Sequence, residues 1–276
     1  MRAKELLKEA EKALLLTGSE NARQEAGRLL SEVTGADPLL LRVEDREIGK
    51  EQEDAFRALL KRRAEKEPLQ YILGIQYFMG FPFRVNPDVL IPRFDTESMC
   101  EDAVRLLPPG ARVLDLCTGS GALAVSIARL RPDTRVFASD LSEAALRTAR
   151  KNAADNHADV VFFQGDLFAP FEGVRFDAII SNPPYIPEGD IPSLSEEVRK
   201  EPHMALSGGE DGLDFYRRIA EEAPRHLTEN GLLWLETGDG EAEKVRQLLR
   251  EAFSEPVTGQ DLSGLDRWVR VRRDPV

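Results

Sequence analysis

From about residue 98 onward the chain alternates short, almost wholly apolar runs with amphipathic stretches of helical period. No other feature restricts the fold as much. The apolar runs lie at 112–117, 135–140, 160–164, 176–181, 232–236 and 267–271, and the helical runs include 122–130, 143–156, 213–226 and 241–253. A strand that is apolar on both sides must be covered on both sides. The pattern therefore predicts an α/β fold with a mainly parallel sheet between two helical layers. Such a sheet binds ligands at the carboxyl ends of its strands, near the point where strand order reverses.

Residues 1–75 read as helical throughout. Leu6, Leu7, Ala10, Ala13 and Leu14 share one face, and Thr17-Gly18 ends that run. Ala26, Leu29, Leu30 and Val33 form a second stripe that closes at Gly35. Asp37-Pro38 marks a helix start, because the carboxylate caps free amides and a proline in the first turn loses no hydrogen bond. The longer helix that follows places Phe56, Leu59 and Leu60 inward, and Lys61, Arg62, Arg63 and Glu65 outward. Short connections predict a small antiparallel bundle, read as a substrate-docking domain. Residues 76–97 change character: Tyr77, Phe78, Phe81 and Phe83 crowd into a stretch broken by glycine and proline, which predicts a β-hairpin linker. Its aromatics either pack on the next domain or touch substrate. The expected division is 1–75, 76–97 and 98–276.

Charge narrows the function. With 49 acidic and 37 basic side chains, the 276-residue chain carries a net charge of -12. That balance weighs against a protein that grips nucleic acid by general phosphate neutralisation. Cys100 and Cys117 form no Cys-x-x-Cys motif and have no histidine pair beside them, so neither a disulfide framework nor a metal site is expected. The apolar runs are strand-sized, far short of the roughly 20 residues a membrane span needs. The charged start of the chain is not read as a signal peptide, and a cytoplasmic protein is expected.

Four strand ends carry candidate chemistry. The first strand runs through Asp115 into Cys117-Thr118-Gly119-Ser120-Gly121, where two glycines let backbone approach a ligand and open the next helix toward it. The second ends in Asp140, placed to accept from both hydroxyls of a ribose. Gly119-x-Gly121-x-x-Ala124 also passes as a nicotinamide-dinucleotide fingerprint. Asp115 tips the balance, since an acid before the loop suits the ammonium group of S-adenosylmethionine better than a pyrophosphate. The third strand leads to Asp166-Leu167, either an adenine contact or an aspartate capping the next turn. The fourth ends in Asn182-Pro183-Pro184-Tyr185. Two prolines fix this turn and remove two amide donors, leaving the Asn182 side-chain oxygen and the Pro183 carbonyl able to accept both hydrogens of a planar amino group. Tyr185 is placed to stack on that plane. Arg93 is a candidate cation for positioning substrate, or a partner in an ion pair with Asp95 or Glu97.

Asn182-Pro183-Pro184-Tyr185, taken with Asp115 through Gly121 and Asp140, resembles the amino-methyltransferases that use S-adenosylmethionine. The stretches 67–74, 89–97 (with Ile91-Pro92-Arg93), 205–213 and 261–267 narrow the resemblance to the PrmC/HemK family. It departs from the family pattern at Phe94-Asp95, at Leu167 where an aromatic is common, and at Glu241. The resemblance implies a Rossmann-like methyltransferase domain with a mainly parallel seven-stranded sheet. It implies methylation of N5 of the Gly-Gly-Gln glutamine of peptide-chain release factors, with S-adenosylmethionine as donor and S-adenosylhomocysteine as product. Asn182, Pro183, Pro184 and Tyr185 would then be catalytic, with Phe78 and Arg93 joining them around the substrate. Asp115, Cys117, Thr118, Gly119, Ser120, Gly121, Asp140, Asp166, Leu167 and Asn182 would hold the donor. The same chemistry on a flipped base gives the alternative, an adenine-N6 or guanine-N2 methyltransferase acting on DNA or RNA.

Overall fold

The computed structural model describes residues 1–274. The chain forms two compact units: residues 1–74 with the short segment 196–200, and residues 75–195 with the chain from Glu201 onward.

The first unit contains α1 (Ala3–Leu16), α2 (Ala22–Thr34), α3 (Pro38–Val43), α4 (Lys50–Ala64) and α5 (Leu69–Leu73). Leu6, Leu7, Ala10 and Leu14 of α1 bury against Ala26, Leu29 and Leu30 of α2, with Leu41 and Phe56 closing the core. Asp37 caps α3 as its sequence predicts, accepting from the amides of Leu39 at 2.7 Å and Leu40 at 3.3 Å. Arg63 corrects the outward assignment. It is 4% exposed, gripping both Glu25 oxygens at 2.9 Å and reaching Glu197 at 2.7 Å. Glu197 belongs to the 196–200 segment and is partly exposed, so an ion triple anchored on the buried Arg63–Glu25 pair holds that segment to the bundle. Removing one member of such a group strands charge and is costly.

The second unit opens with a hairpin, β1 (Ile75–Phe78) and β2 (Phe81–Arg84). Met79 and Gly80 at its turn have φ of 51° and 77°, the paired positive values that match the twist of two strands. Phe78 and Phe83 are fully buried in edge-to-face contact at 6.2 Å, while Tyr77 is exposed. There follow α6 (Asp95–Leu106), β3 (Arg112–Leu116), α7 (Ala122–Leu130), β4 (Arg135–Asp140), α8 (Glu143–Asp155), β5 (Val160–Gln164), β6 (Phe176–Ser181), α9 (Asp214–His226), β7 (Leu227–Glu236), α10 (Ala242–Leu249), β8 (Val257–Gln260) and β9 (Asp266–Arg272). The seven strands of the main sheet stand in the order β5-β4-β3-β6-β7-β9-β8. β3 to β7 run parallel, and β9 is antiparallel to both its neighbours.

Alternation explains the continuous apolar runs. Leu114, Ile179, Leu233 and Leu235 enter one buried layer with Tyr216 and Val269, whereas Val113, Ala178, Ile180 and Trp234 enter the opposite layer with Phe78 and Trp268. Strand order turns at β3 and β6, so the residues after these two strands meet at the crevice between them. β8 is a seventh strand that the apolar pattern does not mark, since it reads Val-Thr-Gly-Gln at the sheet edge. Its Gly259 lies against the Trp268 indole, where a Cβ would collide. His226 is stacked on Phe168 with ring centres 4.6 Å apart.

Candidate functional site

The loop after β3 is unusual in its backbone. Cys117, Gly119 and Gly121 have φ of 58°, 56° and 82°, the left-handed region that costs an ordinary residue about 1–2 kcal/mol. Its two glycines serve different ends. A Cβ on Gly121 would lie 3.1 Å from that of Ala149, so this glycine lets α7 approach α8. A Cβ on Gly119 would have nothing within 4 Å, because it would project into open space.

A cavity of about 250 Å³ lies at the strand ends, lined among others by Cys117, Gly119, Asp140, Asp166, Leu167 and Asn182. Asp140 closes β4. Its carboxylate accepts from the amides of Gly119 and Ser142, both at 2.8 Å, which fixes its orientation. Burial raises its titration above the usual carboxylate range against the pull of these amides. Leu167 is buried with φ of 47°, placing side chain and backbone against the cavity. Asp166 is half-exposed and paired with Arg218 at 2.8 Å. Pro184 and Leu90 also line the wall, as do Met204 and Phe215, two apolar residues that no motif in the sequence marks.

Asp115 is placed differently from expectation. It stands behind the loop rather than on the cavity wall: one oxygen accepts from the Thr118 hydroxyl at 2.5 Å and the Ala124 amide at 3.1 Å. It thereby ties the loop to the start of α7, and direct contact with a ligand ammonium is not what this geometry offers. Its other oxygen is buried without a partner, and burial pushes the carboxyl up to about 7. Burial likewise drives the Cys117 thiol far above its usual range, which leaves it an inert wall group.

A second, smaller cavity of about 50 Å³ is lined by residues including Phe78, Arg93, Thr96, Thr118, Ser120 and Asn182. Asn182 lines both cavities. Its side-chain amide, like the Pro183 carbonyl, has no hydrogen bond with any described residue. The turn that carries them is braced from behind. Ile186 donates to Leu206 at 2.9 Å, Gly208 donates to Ile186 at 2.9 Å, and Glu188 donates to Gly209 at 2.8 Å. A Cβ on Gly208 would meet the Tyr185 backbone at 2.7 Å, and one on Gly212 would meet the Tyr185 carbonyl. The glycines of this second loop thus exist to let it lie directly on the first.

Two further expectations need correction. Tyr185 lines neither cavity: its ring lies by Gly238, where a Cβ would be 3.0 Å from the Tyr185 Cδ2 atom, so the ring does not face Phe78 across one cavity. Burial raises its phenol far above the ordinary range. Arg93 is paired with neither Asp95 nor Glu97. It holds buried Glu201 at 2.5 Å, while the other Glu201 oxygen accepts from the Ile91 amide at 3.0 Å. Glu97 accepts instead from the Met79 amide at 2.6 Å, and Asp95 faces Arg267 at 3.6 Å. Among the described residues no cluster of potential metal ligands occurs, and no helix is long and apolar enough to cross a membrane.

Two family models match the chain: the PrmC N-terminal domain over residues 5–74 and the Methyltransferase small domain over residues 103–210. The release factor glutamine methyltransferase of Geobacter sulfurreducens is 48% identical over 255 residues, covering 91% of this chain and 90% of the relative. That of Moorella thermoacetica is 40% identical over 282 residues, covering 99% and 100%. Among solved structures, a methyltransferase from Pyrococcus furiosus shares the fold with a TM-score of 0.54 at 19% identity, over 72% of this chain and 91% of that one. The 16S rRNA N2 G1207 methyltransferase of T. thermophilus, solved with AdoMet and guanosine, matches with a TM-score of 0.54 at 21% identity, over 72% of this chain and 49% of that one.

Proposed function

The chain belongs to the release factor glutamine methyltransferase family, and from that premise we propose that it methylates N5 of the Gly-Gly-Gln glutamine of peptide-chain release factors, with S-adenosylmethionine as the donor. The observation that carries the proposal is Asn182 standing on the shared wall of two cavities, its acceptor oxygen and that of Pro183 unclaimed by the protein.

The larger cavity suits the donor. Gly119 leaves open space where any side chain would intrude, and Asp140 offers a carboxylate whose direction two amides fix, suited to a pair of ribose hydroxyls. Leu167 supplies an apolar wall. When bound, the donor supplies a methyl group on a positively charged sulfur.

The smaller cavity has room for a group the size of a carboxamide. An amide nitrogen is a weak nucleophile because its lone pair is delocalised into the carbonyl. Asn182 Oδ1 and the Pro183 carbonyl accept its two hydrogens, which sets the nitrogen in place and favours positive charge as it develops there. Phe78 walls the far side. Rigidity comes from Pro183 and Pro184 and from the glycine loop lying on them, so these acceptors need no rearrangement at the moment of reaction.

A lone glutamine side chain offers little binding energy, so recognition of the release factor extends beyond the cavity, and we assign docking to the helical unit of residues 1–74. The test is mass spectrometry of the release factor's glutamine peptide after incubation with donor, run in parallel with DNA and RNA. A gain of one methyl group on that glutamine supports the function. Methyl transfer to nucleic acid with none to the release factor refutes it.

A further inference from the structure

Methylating an amide nitrogen leaves it with one proton too many. The two acceptors proposed for it, an asparagine oxygen and a peptide carbonyl, are both very weak bases. The proton needs another destination.

Ser181 of β6 pairs with Leu235 of β7, so Asn182 and Glu236 follow side by side at neighbouring strand ends. Alternation puts Glu236 on the face of Trp234, in the layer that also holds Phe78. Glu236 is 3% exposed, and its Oε2 has no hydrogen-bond partner. Thr96, on the wall of the smaller cavity, is buried too, and its hydroxyl is likewise unpartnered. The hydroxyl lies near enough to pull the titration of Glu236 down, yet the two side chains complete no hydrogen bond of normal geometry. An unpaired carboxyl and an unpaired hydroxyl, buried together beside a cavity, are costly unless something uses them. The Glu236 backbone is held in place, its carbonyl accepting from the Tyr216 hydroxyl at 2.7 Å.

We propose that Glu236 takes up, through the Thr96 hydroxyl, the proton that leaves the glutamine amide as it is methylated; this rests on the function proposed above. The amide nitrogen gains a bond to the methyl carbon while the electron pair of the breaking carbon–sulfur bond stays on sulfur. In the same transition state an N–H bond breaks and its electron pair stays on nitrogen, so the proton acceptor acts on methyl transfer itself. Thr96 receives that proton on oxygen and passes its own to Glu236 Oε2. Burial, the largest effect, and the negative charge of Asp95 raise the Glu236 carboxyl to about 7, while Thr96, Arg267 and Arg93 hold it lower. Tyr185 and Tyr216 also face it, and burial keeps both phenols protonated. The carboxyl is therefore poised to gain a proton and release it near neutrality.

Single-turnover methylation of release factor is measured from pH 5.5 to 9, with donor affinity by calorimetry and the donor-free titration of Glu236 by carbon NMR of labelled glutamates. The wild-type rate rises with pH to a plateau with a midpoint near 7, tracking the ionisation of Glu236. Glu236→Gln is slower by on the order of a hundredfold and loses that pH dependence, with donor affinity within about twofold. Thr96→Val slows the step by about tenfold, and Glu236→Asp restores part of the rate and the pH dependence. Wild-type rate and pH profile in Glu236→Gln overturn the inference while leaving the function intact. Failure of the wild type to methylate the release factor overturns both.

Discussion

Gly119 and Gly121 sit two residues apart in one loop, both with positive φ, yet alanine at each should fail in a different way. At Gly121 the added Cβ meets Ala149 Cβ at 3.1 Å and Cα at 3.3 Å. Contacts that close force α7 and α8 apart by a few tenths of an ångström, which adds about 1–2 kcal/mol to a left-handed backbone cost of about 1–2 kcal/mol. Gly121→Ala should therefore lose about 2–4 kcal/mol of stability. At Gly119 nothing lies within 4 Å, so only the backbone cost of about 1–2 kcal/mol applies. Gly119 lines both cavities, however, so a side chain there takes room from what they hold, and donor affinity should fall by about tenfold or more. Urea unfolding followed by tryptophan fluorescence reads the right part of the molecule, since Trp234 and Trp268 both lie in the main sheet. Calorimetry with S-adenosylhomocysteine reads the second effect. If Gly119→Ala loses more stability than Gly121→Ala while binding ligand normally, the division of roles between the two glycines is wrong.

Asn182→Ala should lower turnover by roughly a hundredfold while leaving release-factor affinity nearly unchanged, because its acceptor acts mainly as charge develops on the amide nitrogen; a steady-state comparison of kcat and KM checks this, with Asn182→Asp expected to retain more activity. Tyr185→Phe should cost little, since the buried phenol lines neither cavity, whereas Tyr185→Ala should lower both stability and turnover by removing a ring packed at Gly238; parallel melts and rate measurements separate the two. Asp115 makes stability depend on pH: a carboxyl that folding raises to about 7 binds a proton more readily in the folded chain, so its contribution falls as pH climbs from the ordinary carboxylate range through 7. The donor-free protein should weaken by up to a few kcal/mol over that window, and Asp115→Asn should flatten the decline in urea melts at pH 5 and pH 8.

The parallel strands were legible because each carries a compact apolar run, deeply buried in β6 and retained as Val160-Val161-Phe162-Phe163 even in β5 at the sheet edge: the runs at 135–140, 160–164 and 176–181 end where β4, β5 and β6 end. β8 was not, because Val-Thr-Gly-Gln holds a single apolar side chain. Val257–Gln260 owes its place to its pairing with β9 and to the fit of Gly259 on Trp268. Arg63 shows a related limit. Its surroundings in the sequence are charged, and the carboxylates that make burial tolerable, Glu25 and Glu197, lie 38 and 134 residues away.

The same distinction runs through the candidate site. Proline and glycine act on their own backbone, so Pro183, Pro184, Gly119 and Gly121 announce the shape of their loops from local sequence alone. Side chains act through partners that sequence does not name. Nothing near Glu201 marks it as the counter-ion of Arg93, which lies 108 residues earlier. Asp115 carries the residue type expected of a ligand contact, yet the Thr118 hydroxyl and the Ala124 amide capture it from behind the loop. Asp140 also accepts two amides, but at a strand end that opens on the cavity. Two aspartates at consecutive strand ends thus take different parts, one stiffening the loop and one facing what the loop receives. What separates them is which side of the glycine loop each occupies, a property of the folded backbone and not of either residue.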